Sequence, residues 1–145
     1  MGDNVSGVAF VDAKMQHLQM IQDTISRMAG NSFLLKGWAV TLIAGIFALS
    51  SNDADKLYFL VAYIPILVFW WLDSYYLCQE RKYRKLYDYV RIQDNAQVDF
   101  SMNASVNDVQ DEKLTYLNCV FSVTELWFYF PLALLSAVII IVTHI

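Results

Sequence analysis

Three ionisable residues stand in apolar surroundings. Lys36 lies in FLLKGWAVTLIAGIFALS (33–50), Asp73 in LYFLVAYIPILVFWWLDSYYL (57–77), and Glu125 immediately before LWFYFPLALLSAVIIIVT (126–143). A charge at the centre of a bilayer costs roughly 2.5–3.5 kcal/mol on insertion scales, so such residues usually pair or serve a function. Three chemistries fit them: ion pairing across helices, snorkelling of each to the interface, or handling of a proton or ion. We expect Lys36 to pair with Asp73, Glu125 or both. The remaining reactive side chains are sparse. Cys78 and Cys119 are far apart with no CxxC, which excludes a disulfide framework and a zinc ribbon. They read as small packing residues in a reducing compartment. His17 and His144 fall on opposite sides of the membrane in the topology below. No phosphate loop, HExxH or GxSxG occurs. The reading is therefore of a protein that is not an enzyme, with no catalytic residue, metal or cofactor.

The elements that must position these charges follow from composition. Of 145 residues, 57% are hydrophobic and 17% charged, and the apolar residues are clustered in blocks. A soluble domain of this size could not hide that much apolar surface in one core. A net charge of −4 argues against nucleic acid as a direct ligand. About 20 helical residues cross the hydrocarbon, so 33–50, 57–77 and 117–143 each read as a transmembrane helix. The expected fold is an all-α integral membrane protein with three spans in one membrane domain. Orientation follows from Arg81, Lys82, Arg84, Lys85 and Arg91, a basic patch just past the second span. The positive-inside rule puts it in the cytoplasm. The amino terminus, with Lys14, Arg27 and Lys36, is placed there too and the carboxyl terminus outside. Trp38, Trp70, Trp71 and Trp127 then all fall toward the cytoplasmic side, as an aromatic belt would. Lys36, Asp73 and Glu125 come to similar depth near the inner leaflet.

Outside the lipid, 10–29 has apolar residues at three- and four-residue steps (Val11, Met15, Leu18, Ile21, Ile25, Met28) and reads as an amphipathic helix. Gly30-Asn31-Ser32 either bends the chain or lies inside one long helix. The second span should continue as a cytoplasmic helix over 78–92, with Tyr76, Tyr83, Leu86, Tyr87 and Val90 as its apolar stripe. Polar residues 93–107 read as a loop, and Asn107, with Gln110 three residues on, as the N-cap of the last helix. Pro65 and Pro131 should kink their spans. Gly37, Thr41 and Gly45 recur every four residues and form a packing seam for another helix of this chain or of a second copy. The outer halves of the spans hold few polar groups, which argues against a wide aqueous pore within one subunit; conduction would need several copies around the path.

The strings HLQMIQDTISRMAGNSFLLKGW (17–38), FWWLDSYYLCQERKYRKLY (69–87) and DFSMN (99–103) resemble a group of small bacterial helical membrane proteins. Members of that group are found as accessory components of phage-defence loci, CRISPR-associated or RADAR-type. The likeness covers about two thirds of the chain, from His17 to Asn103, and brings no catalytic residues. It implies a multi-pass protein of the bacterial inner membrane that forms homo-oligomers in the lipid bilayer. It also implies action with a cytoplasmic defence protein to perturb or permeabilise the membrane during infection. The alternatives are a non-conducting anchor or scaffold for a soluble defence enzyme, and a subunit of a small ion- or proton-coupled transporter.

Overall fold

A computed structural model describes residues 2–49, 61–104 and 115–142. Among them every regular element is helical: α1 (Gly2–Leu49), α2 (Tyr63–Ile92), a single 3-10 turn (Asn95–Gln97), α3 (Tyr116–Val120) and α4 (Val123–Val142). The amphipathic stretch and the first apolar stretch are one uninterrupted helix of 48 residues. Gly30 is absorbed without a break, which resolves the two readings of Gly30-Asn31-Ser32 in favour of one long helix. Residues 30–32 contain no proline, and no φ is positive at any described glycine.

α1 and α2 run antiparallel. Ile21 and Ile25 pack with Leu86 and Val90 at one end, while Ala39 and Ile43 pack with Ile66 at the other. The two ends make separate apolar cores. The first is a two-helix stalk, closed on one side by the segment after α2, which buries Val98 and lays Met102 and Ala104 against this core. Residues 93–104 are thus a packed return along α1 rather than a plain polar loop. Lys14 closes the far end of α2, donating from Nζ to the carbonyls of Arg91 and Gln93. A cation at a helix C-terminus meets carbonyls that the helix leaves without partners. The second core is a three-helix bundle in which Tyr129 of α4 joins Ala39, Ile43 and Ile66, with Phe47, Trp70 and Phe128 around them.

The expected third apolar segment, 117–143, is not one helix. The chain breaks at Phe121–Ser122, and α4 begins at Val123. Ser122 explains the restart. Its Oγ accepts from the Glu125 amide at 3.4 Å and its carbonyl accepts from the Leu126 amide at 3.0 Å, the geometry of an N-cap. The sequence S-V-T-E (122–125) has capping-box spacing. The cap expected at Asn107 lies outside the described residues, as do 50–60 at the start of the second apolar stretch. Pro65 occupies the first turn of α2, where the missing amide has no intrahelical partner to lose, so no kink follows. Pro131 lies inside α4, where it leaves the Trp127 carbonyl without its helical donor.

Among the described residues, two helices are long and apolar enough to cross a membrane: α1 through its stretch ending at Leu49, and α4. Only 11% and 17% of their apolar windows are buried within the chain. The core helix of a soluble protein would show the reverse.

Candidate functional site

A charged layer separates the two cores, and each of the three long helices supplies one member. Lys36 of α1 is one turn before Ala39, Asp73 of α2 two turns after Ile66, and Glu125 of α4 one turn before Tyr129. Helical spacing alone therefore turns all three toward the bundle axis. The Lys36 ammonium contacts Asp73 Oδ2, and donates to Glu125 Oε1 at 3.3 Å and to Ser32 Oγ, one turn back, at 3.1 Å. The Tyr129 hydroxyl donates to the same Asp73 oxygen at 3.1 Å. Both carboxylate side chains are 0% exposed, whereas the lysine side chain retains 18%. Rings close the layer: the ammonium stands 5.7 Å from the centroid of Phe128 and 6.0 Å from that of Tyr129, within the range of cation–π attraction.

One cation thus serves two buried carboxylates, and Asp73 Oδ1 and Glu125 Oε2 have no hydrogen-bond donor. Desolvating an ion costs several kcal/mol in a protein interior, and only a geometrically good pair offsets it. The layer therefore makes the positions of α1, α2 and α4 mutually dependent: displacing any one of the helices leaves a buried charge uncompensated. Tyr129 is not among the residues that the sequence singles out, and Ser32 is singled out there only for a bend. Each lies four residues from a member of the triad, Tyr129 from Glu125 and Ser32 from Lys36, and that spacing is the signal that would have found them.

The other candidate residues do not converge on this layer. Gly37 and Thr41 are exposed and Gly45 is half-buried. Nothing lies within 4 Å of a Cβ built at either glycine. The seam therefore faces away from α2 and α4. The face of α1 that meets them carries Lys36, Ala39, Ile43 and Phe47. Trp38, Trp71 and Trp127 are exposed. Trp70 is half-buried: it stacks on Tyr129 at 6.3 Å and donates through Nε1 to the Val120 carbonyl at 3.0 Å. In the basic patch Arg84 bridges to Glu80 at 2.7 Å and Arg91 to Asp88 at 3.4 Å, both along one helix face. Arg81 and Lys82 are half-buried and Lys85 is exposed.

Comparison of the chain with protein-family models, with curated proteins and with solved structures gives no match. What the chain does is therefore to be sought in the charged layer and the surfaces around it.

A second buried polar group lies in the stalk. His17 is fully enclosed between α1 and the return segment, with the ring of Phe100 edge-on at 5.7 Å. Neither ring nitrogen has a hydrogen-bond partner. Burial lowers its pKa from the usual imidazole value, against a smaller upward pull from Asp99. Among the described residues no group of His, Cys, Asp and Glu is disposed to hold a metal ion.

Proposed function

We propose that this protein is a three-span component of the bacterial cytoplasmic membrane that self-associates and acts with a cytoplasmic partner to perturb the membrane during phage infection. The observation that carries the membrane part is the contrast between inside and outside. Charged groups from three helices are sealed in one layer, while the surfaces of α1 and α4 turned away from it are apolar and uncovered. That is the distribution a lipid solvent selects. In this reading α2 crosses beside them. The amino-terminal half of α1, the basic end of α2 and the return segment 93–104 form a cytoplasmic stalk, with the carboxyl terminus outside. The small-residue face of α1 is left for a second copy. The phage-defence part rests on the resemblance of 17–38, 69–87 and 99–103 to accessory proteins of defence loci.

Two measurements test it. An impermeant thiol reagent applied to intact cells should label a cysteine placed at Asn52 and spare one at Asn95; the opposite pattern removes the topology. Membrane potential followed during phage challenge of cells carrying the neighbouring genes should collapse. Protection with an unchanged potential rejects the perturbing role. That second outcome favours an anchoring reading, for which the packed stalk is a ready platform. Charge reversal at Arg81, Lys82, Arg84 and Lys85 should then release a co-purifying partner without altering oligomer size.

A further inference from the structure

The chain has two cysteines, 41 positions apart in sequence, and the fold puts them side by side. Cys78 is on α2, one turn past the buried Ser74; Cys119 is on α3. Two hydrogen bonds strap α3 to α2: Trp70 Nε1 donates to the Val120 carbonyl at 3.0 Å, and the Tyr116 hydroxyl donates to the Trp71 carbonyl at 2.7 Å. Both cysteines are buried and both are thiols. Their side chains are within hydrogen-bonding reach of each other, and the Arg81 guanidinium flanks Cys119. A disulfide needs the two Cα atoms within about 7 Å and the Cβ atoms facing each other, conditions compatible with two thiols in hydrogen-bonding reach.

We propose that Cys78 and Cys119 form a closable dithiol, which a low-molecular-weight disulfide oxidises to an intrachain bond stapling α3 to α2. One thiol loses its proton and its thiolate attacks a sulfur of the reagent RSSR. The reagent's S–S bond breaks, a mixed disulfide forms, and RSH leaves after taking up a proton. The second protein thiolate then attacks the cysteine sulfur of the mixed disulfide and expels the second RSH. The protein gives up two electrons and two protons, and the reagent carries both away as two thiols. Access is set by α3. The thiolate is the nucleophile, and both thiols are buried away from the reagent. The closed pair is therefore slow to react. α3 is a five-residue helix held to α2 by those two hydrogen bonds, and so small an element opens locally at a lower cost than the whole fold. Oxidation thus reports on the lifting of α3 and, once complete, holds it down. Because only Phe121 and Ser122 separate α3 from α4, the staple also fixes where α4 enters the bundle relative to α2.

The full-length protein in detergent micelles, incubated with oxidised glutathione, acid-quenched and denatured, gives the test by intact mass and non-reducing electrophoresis. The expected product is a monomer that has lost two hydrogens, carries no glutathione and reverts with dithiothreitol. Cys78→Ser and Cys119→Ser should each stop at the mixed disulfide and retain one glutathione. A wild-type chain that accumulates glutathione adducts without losing two hydrogens overturns the proposal. So does a disulfide-linked dimer. So do thiols that stay unreacted over times sufficient to oxidise the urea-unfolded chain. The wild-type mass decides the matter even where a serine variant does not fold.

Discussion

At the level of single residues, the decisive distinction is between charges that are buried and charges that are not. Lys36 faces two fully enclosed carboxylates. Replacing it with Met should cost about 3–5 kcal/mol, the range for leaving a buried partner without its counterion. Arg84, 63% exposed, pairs with Glu80 along a helix face. Its removal should cost no more than about 0.5 kcal/mol. Thermal or denaturant unfolding in detergent micelles measures both, and equal losses would mean that the layer does not hold the bundle together. Glu125→Gln combined with Lys36→Met should be milder than the sum of the two changes, since each removes part of the same network. His17 gives a pH dependence of definite sign. Its pKa is lowered in the folded state, so the unfolded chain takes the proton more readily. The stability that neutral His17 contributes is complete above the ordinary value near 6.5 and is lost as pH falls below it. The midpoint of unfolding should drop on acidification through that range, and His17→Leu should flatten the drop.

At the level of elements, helices are legible in the sequence wherever periodicity or apolar length is strong. Of the amino-terminal stripe, Leu18, Ile21 and Ile25 pack while Val11 and Met15 stay exposed, and the continuation of α2 past its apolar stretch ends at Ile92. Boundaries that depend on one local bond are not. The break before α4 is invisible in an apolar run, because Phe121 and Val123 look like any other residues of a span. It is set by Ser122, whose Oγ accepts from the amide of Glu125, a residue that stands out in the sequence only as a charge at membrane depth. Ser122→Ala should cost about 1 kcal/mol, as the loss of an N-cap oxygen does. Gly30 is the converse case. It lies inside α1 with open space where an alanine methyl would stand, so Gly30→Ala should stabilise the helix by about 0.5–1 kcal/mol. Of the candidate site, the charged triad could be foreseen because cost singles out ions in apolar sequence. The contact between Cys78 and Cys119 could not. It depends on α3 folding back onto α2 through Trp70 and Tyr116, and no spacing in the sequence encodes that return.

At the level of the whole molecule, the uncovered surfaces are as informative as the cores. Gly37 and Gly45 have nothing in the chain against them, so Gly37→Leu and Gly45→Leu should leave the fold of a single chain intact. If the face they mark is where copies meet, particle mass in detergent should fall to that of a monomer while the unfolding midpoint of the chain is kept. An unchanged mass would move the contact elsewhere. α1 adds a mechanical property. Its 48 residues without a break make a rod about 72 Å long at 1.5 Å per residue. The charged layer grips it at Lys36, about 50 Å from its amino end by the same rise. The rod is held a second time in the stalk, at Lys14, Ile21 and Ile25, so a small repacking beside Asp73 and Glu125 would be carried to the far end of the molecule by α1 and α2 moving together.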